Sequence, residues 1–192
     1  MSEYIKIILK LTWVILLLYW VVSGFKVKRA QTKEPAFQRF MFYWLPLLIA
    51  LLLLGPGDWF GRTWLREQFI EHSDAVGLVG LFFCVPGAII AIWSRYLLGK
   101  NWSLSVQKKA DHELIQTGPY QWVRHPIYTG LLFMFIGNGI IVGDYRAIIA
   151  VLLVAVSLWF KLKKEEGVLI AAFGIAYEEY RDRTKALIPF VI

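Results

Sequence analysis

One cysteine, Cys84, is all the chain has in 192 residues, and charged residues make up only 18% of it, against about 25% in an ordinary soluble domain. A single cysteine excludes a disulfide framework or a cysteine zinc site within one chain. Histidine is nearly as scarce, and His72, His112 and His125 stand at no metal-ligand spacing to one another; no metal is expected. Internal repeats, low-complexity linkers, a glycine-rich phosphate loop and a dinucleotide fingerprint are all missing. A nucleotide cofactor would therefore have to be held in some other way.

What the chain does have is 58% hydrophobic residues, gathered in blocks: Tyr4 to Phe25, Phe40 to Pro56, Ala75 to Leu98, Ile127 to Val142, and Ala147 to Phe160. A helix crosses a bilayer with roughly 20 apolar residues, and about 17 suffice. The first and third blocks are long enough, and the second and fourth stand near the lower limit. The fifth needs its flanks Tyr145 and Leu162. The blocks predict an all-α integral membrane protein of about five transmembrane helices. Lys26, Lys28 and Arg29 directly follow the first block, which suits a retained helix better than a cleaved signal.

The net charge of +7 is distributed unlike that of a nucleic-acid-binding protein, because basic and acidic loops alternate. Lys26, Lys28, Arg29, Lys33 and Arg39 lie between blocks one and two. The next loop is acidic, with Asp58, Glu67, Glu71 and Asp74 against Arg62 and Arg66. Arg95, in the last turn of block three, and Lys100, Lys108, Lys109 and Arg124 beyond it form the next basic group, and Lys161, Lys163 and Lys164 follow block five. Basic loops stay cytoplasmic, so the N-terminus is expected outside and the C-terminus inside. The basic face would also favour anionic membrane lipids.

Gly143-Asp144 joins blocks four and five too closely for anything but an antiparallel helical hairpin. The segment from Ser94 to His125 is polar and rich in turns, with Asp111 as an N-cap and a break at Thr117-Gly118-Pro119. Beyond Lys161, apolar residues from Val168 to Tyr180 recur at helical spacing around Gly174. They predict two amphipathic pieces on the cytoplasmic face, ending by Pro189. The chain divides into residues 1–94, about three spans counting 75–98, and residues 95–192, two spans with an amphipathic cap.

Ionisable groups near membrane ends default to functional hypotheses. His125 precedes Pro126, a residue suited to the first helical position, and the N–H groups of that helix start could hold a carboxylate. By residue type alone His125 is balanced between helix cap and site, with Arg124 snorkelling to phosphates. Glu165 and Glu166 are either a solvated face, with Lys161 paired to Glu165 at i,i+4, or a carboxylate set over the same mouth. Gly139 and Gly143 match a helix-packing pattern. The glycosylation triplet Asn101-Trp102-Ser103 falls in a cytoplasmic loop and is discounted.

Leu98-Gly99-Lys100-Asn101-Trp102, Gly118-Pro119-Tyr120, Arg124-His125-Pro126-Ile127-Tyr128, Glu165-Glu166 and Phe173-Gly174 occur in that order, with Tyr177 and Tyr180 behind them. The set closely resembles the isoprenylcysteine carboxyl methyltransferase family, within a wider group that includes phospholipid N-methyltransferases. The likeness covers about residues 95–192. It implies methyl transfer from S-adenosylmethionine to a lipophilic acceptor reached from the bilayer, with a cytoplasmic cofactor pocket capped by the C-terminal segment. Carried over by position, Gln107 and the run His112, Glu113, Leu114 and Ile115 would contact the cofactor. Tyr120, His125, Pro126, Ile127 and Tyr128 would complete its pocket. Glu165 would be catalytic and, with Lys161, would meet the acceptor. Where the family has an arginine four residues before the glutamate, this chain has Lys161, which supplies charge without a bidentate fork. Two rival readings are an NADPH-dependent membrane reductase of the sterol-reductase type and a non-catalytic membrane scaffold.

Overall fold

The computed structural model describes residues 1–25, 35–99 and 114–189. The apolar blocks become helices. The first is α1 (Glu3–Gly24). The second runs as α2 (Ala36–Arg39), a π-helical turn (Phe40–Trp44) and α3 (Leu45–Leu53). Then follow α4 (Asp74–Leu98), α5 (Pro126–Val142), α6 (Tyr145–Phe173) and α7 (Ile175–Arg183). Among the described residues four segments are long and apolar enough to cross a membrane, and α5, at 17 residues, is a shorter apolar helix. The chain is an all-helical, multi-pass membrane protein. Its first helix turns Ile7, Leu11, Val14 and Leu18 outward, as hydrocarbon in place of water allows.

The bundle is ordered by what each helix can approach. The α4 and α5 pair makes the most extensive contact; α1 packs on α4, α6 on α5, and α3 on α6. Glycine explains the central pair. A Cβ on Gly87 would lie 2.6 Å from the Gly130 carbonyl oxygen, and one on Gly80 would lie 2.6 Å from that of Gly137. Backbones meet there, which gains dispersion where lipid offers no hydrophobic drive. The pattern at Gly139 and Gly143 does something else. Gly139 faces Val151 and Ala147 of α6, while Gly143, at φ 69°, ends α5 with its N–H on the Gly139 carbonyl. The hairpin is as tight as expected.

At the hairpin end, Arg146 and Asp144 are buried together, with Nε donating to Oδ2 at 2.8 Å. Arg146 Nη1 also donates to the Leu53 and Gly55 carbonyls at 2.7 and 2.6 Å. That one guanidinium ties the end of α3 to the start of α6. Ser73 caps α4 by accepting from the Val76 N–H at 3.2 Å.

One expectation is corrected. The tail after Lys161 does not begin a separate amphipathic piece, because α6 continues unbroken through Glu165 and Glu166 to Phe173. Loss of apolar character ends the membrane segment, not the helix, since backbone bonding is as good in water. The break falls at Gly174, in the left-handed region at φ 53°, and α7 follows as the second expected piece.

Candidate active site

Position 126 sets the geometry. Pro126 opens α5 and has no N–H to satisfy. The Tyr128 and Thr129 N–H groups both turn back to the His125 carbonyl, at 2.9 and 3.1 Å. The helix start therefore offers at most the Ile127 N–H to a ligand, which corrects the expected row of free donors. Nor does the His125 side chain cap the helix. Its backbone N–H donates to the Ala186 carbonyl at 3.0 Å, and that of Arg124 to Lys185 at 2.8 Å. The segment after α7 thus runs beside 122–125 as a short parallel bridge, and Thr129 Oγ1 donates to the Leu187 carbonyl at 2.6 Å.

Freed from capping, the His125 ring lies flat against Tyr128, with centroids 5.4 Å apart and planes 2° from parallel. Its Nδ1 is 3.8 Å from Glu165 Oε2 and its Nε2 is 3.5 Å from Glu166 Oε1. The Tyr128 hydroxyl donates to Glu165 Oε2 at 2.6 Å, and Lys161 Nζ lies 5.4 Å from the Tyr128 ring centroid. Glu165, His125, Tyr128 and Lys161 are therefore brought together at one mouth between α5 and α6. Tyr120 sits behind them, in the short 3₁₀ turn Gly118–Gln121. Its hydroxyl donates to the Ser94 carbonyl at 3.3 Å, and its own carbonyl accepts from the Tyr180 hydroxyl at 2.6 Å. Pro126 and Ile127 are buried at the helix start. Leu114 and Ile115 are half-buried just before the turn. Gln107, His112 and Glu113, like the Asp111 cap, lie outside the described residues.

The two adjacent glutamates share the His125 ring and differ in their other partners. Glu165 is 31% exposed, whereas Glu166 and Arg124 are 9% and 10% exposed and paired, Nε to Oε1, at 2.7 Å. Arg124 Nη1 also donates to the Arg181 and Thr184 carbonyls. Arg124 is thus no lipid-snorkelling residue; it is the tie between α5, α6 and the end of α7. Residue types alone had missed this. The clue available in sequence was that neighbours on a helix point about 100° apart, so Glu165 and Glu166 reach opposite ends of the His125 ring and only Glu166 reaches Arg124.

Two buried polar atoms beside this mouth are poorly satisfied: the Tyr177 hydroxyl has no hydrogen-bond partner among the described residues, and His125 Nε2 has only the Glu166 carboxylate at a long 3.5 Å. Burial, followed by the charge of Glu166, pushes the Tyr177 phenol above its usual range, so it stays a neutral proton carrier. Tyr120 and Tyr180 are raised as well, in each case chiefly by burial. Unsatisfied buried groups of this kind ask for a ligand or ordered water, which fits a polar cofactor. No group of three or more His, Cys, Asp or Glu able to hold a metal occurs among the described residues.

Residues 78–171 match the model of the isoprenylcysteine carboxyl methyltransferase family. The chain is similar to that family over just under half of its length. It is 29% identical over 167 residues to a protein-S-isoprenylcysteine O-methyltransferase of Schizosaccharomyces pombe, covering 78% of this chain and 67% of that protein. The Tribolium castaneum protein of the same name is 33% identical over 139 residues, covering 65% and 48%. The human one is 30% identical over 128 residues, covering 64% and 44%. The chain thus spans about half the length of most curated relatives it matches. Its fold is similar to a solved structure of the eukaryotic intramembrane Ras methyltransferase ICMT. The TM-score is 0.53 at 25% identity, over 83% of this chain and 55% of that one.

Proposed function

We propose that the protein transfers a methyl group from S-adenosylmethionine to a lipophilic acceptor that reaches the α5–α6 mouth from the bilayer. The observation that carries this reading is the convergence of Glu165, His125, Tyr128 and Lys161 in a chain similar to this family. S-adenosylmethionine brings a sulfonium methyl already activated for displacement, so the protein must align and desolvate more than act as acid or base. Tyr128 fixes the Glu165 carboxylate, whose charge then faces positive charge without reorganisation. His125 and Tyr128 form a stacked wall, with Tyr120, Pro126, Ile127, Leu114 and Ile115 completing the cofactor side. Gln107, His112 and Glu113 belong to the same proposal by position. Lys161 attracts an anionic acceptor, which ranks carboxyl-bearing prenyl compounds first and phospholipid amines second. The alternation of basic and acidic loops supports a cytoplasmic mouth and C-terminus, with the N-terminus outside.

Calorimetry on the purified protein in detergent tests the cofactor. Saturable binding of S-adenosylhomocysteine is expected; binding of NADPH in its place would overturn the reading and favour a reductase, and binding of neither would favour a scaffold. Glu165→Gln should lower methyl transfer about a hundredfold or more while leaving S-adenosylhomocysteine affinity largely intact. An equal loss of both would show that Glu165 belongs to the cofactor side.

A further inference from the structure

Tyr43 lies outside the segment that matches the family, in the π-helical turn before α3. Pro46, early in α3, has no N–H to give the Phe42 carbonyl four residues back. The helix widens there, with the Leu45 N–H reaching the Phe40 carbonyl, and Ser157 Oγ of α6 donates to the Phe42 carbonyl at 2.7 Å. Single π-turns inside helices are frequent at functional sites. Ser157, Lys161 and Glu165 stand at i, i+4 and i+8 on α6 and so share one face. The Ser157 contact therefore sets the register that brings Tyr43 to Lys161, one turn further on. Lys161 Nζ is 5.4 Å from the Tyr43 ring centroid, the same distance as from that of Tyr128. Both rings are buried.

We propose that Tyr43 is a positioning residue for Lys161: it holds the ammonium against Tyr128, so that one fixed cation stands at the acceptor end beside Glu165. A lysine stem is flexible and its head is a point charge without a fork. Two aromatic faces restrict it by cation–π attraction, which strengthens where water is excluded. This inference rests on the methyltransferase reading for its consequence, though not for the clamp itself.

The test uses the full chain in detergent with Tyr43→Leu and Tyr43→Phe; should the leucine variant not fold, Tyr43→Met carries the same expectation. Acylation of Lys161 by acetic anhydride, measured by mass spectrometry relative to Lys163, should rise about fivefold or more in the leucine variant and return to the wild-type level in the phenylalanine one. With a prenylcysteine acid as acceptor, the KM should rise about 5- to 30-fold in the leucine variant, with kcat and S-adenosylhomocysteine affinity held within about twofold. Phenylalanine, which keeps the ring, should rescue the KM. Unchanged Lys161 labelling, failure of phenylalanine to rescue, or a loss falling on kcat or cofactor affinity would each overturn the proposal. If the wild-type protein transfers no methyl to any acid, the functional reading fails instead, and the labelling alone decides whether Tyr43 clamps Lys161.

Discussion

Glu166→Gln removes one charge from the site and changes almost no volume. In the native protein Glu166 Oε1 accepts from Arg124 Nε at 2.7 Å, with both side chains largely buried. Deleting one partner of a buried pair leaves the other charge uncompensated and costs about 3–5 kcal/mol. Arg124 keeps the Arg181 and Thr184 carbonyls, and glutamine retains an acceptor, so the low end, about 3 kcal/mol, is expected. In a chain of this length that corresponds to about 6–12 °C of apparent melting temperature at a fixed scan rate. Glu165→Gln is the internal control. Its partly exposed carboxylate accepts one hydrogen bond, from Tyr128, which glutamine only weakens, and the change should cost about 1 kcal/mol or less.

The double replacement Arg124→Met with Glu166→Met removes both charges, and it should be less damaging than the two single changes added together, with a coupling of about 2 kcal/mol. Amide hydrogen exchange should rise locally over residues 181–187 in Glu166→Gln, because Arg124 holds that segment. The reasoning is refuted if Glu166→Gln melts within about 2 °C of the Glu165→Gln control, or if the double mutant shows no coupling. Either result would mean that the pair is solvated in the native protein and ties nothing.

Two further outcomes follow from backbone packing and buried charge. Gly87→Ala should lower thermal stability by about 1–3 kcal/mol, since its Cβ would meet the Gly130 carbonyl. Gly167→Ala, where no neighbouring atom lies within 4 Å, should raise stability by about 0.5–1 kcal/mol in the same melting assay. Arg146→Met should cost about 3 kcal/mol or more, by leaving Asp144 and two carbonyls without their donor. Neither Gly167→Ala nor Arg146→Met should alter S-adenosylhomocysteine affinity by calorimetry, since a Cβ at Gly167 meets no neighbour and Arg146 sits at the opposite, hairpin end of α6.

The spans were legible in the sequence because hydrophobic blocks are a direct record of solvent. Their ends correspond within a few residues to α1, the α2–α3 segment, α4, α5 and the start of α6, and Gly143 and Gly174 announced the two turns. Contacts between distant segments were not legible. Tyr43 and Lys161 are 118 positions apart, and nothing local marks a tyrosine in an apolar span as a partner for a lysine three blocks on. The helix-start donors were overestimated for a related reason: two of them return to the His125 carbonyl, which depends on the backbone angle at that residue and not on its type. Residues 107, 112 and 113 rest on position in the pattern alone.

The motif Glu165-Glu166 marks where the sequence reading stopped short of the physics. As letters it is one acidic pair, open to the interpretation of a solvated face. On a helix the two side chains diverge by about 100°; α6 is packed on one side by α5, and Arg124 joins its Glu166 to the Arg181 and Thr184 carbonyls at the end of α7. One carboxylate must then look into the mouth and the other into the packing. The glutamate in the packing is neutralised by the buried Arg124 and holds the cap in place. The one in the mouth is oriented by Tyr128 and stays partly exposed, so it alone is free to change partners as a ligand arrives. A substitution at 166 should therefore be read first as a change in stability, and one at 165 first as a change in turnover.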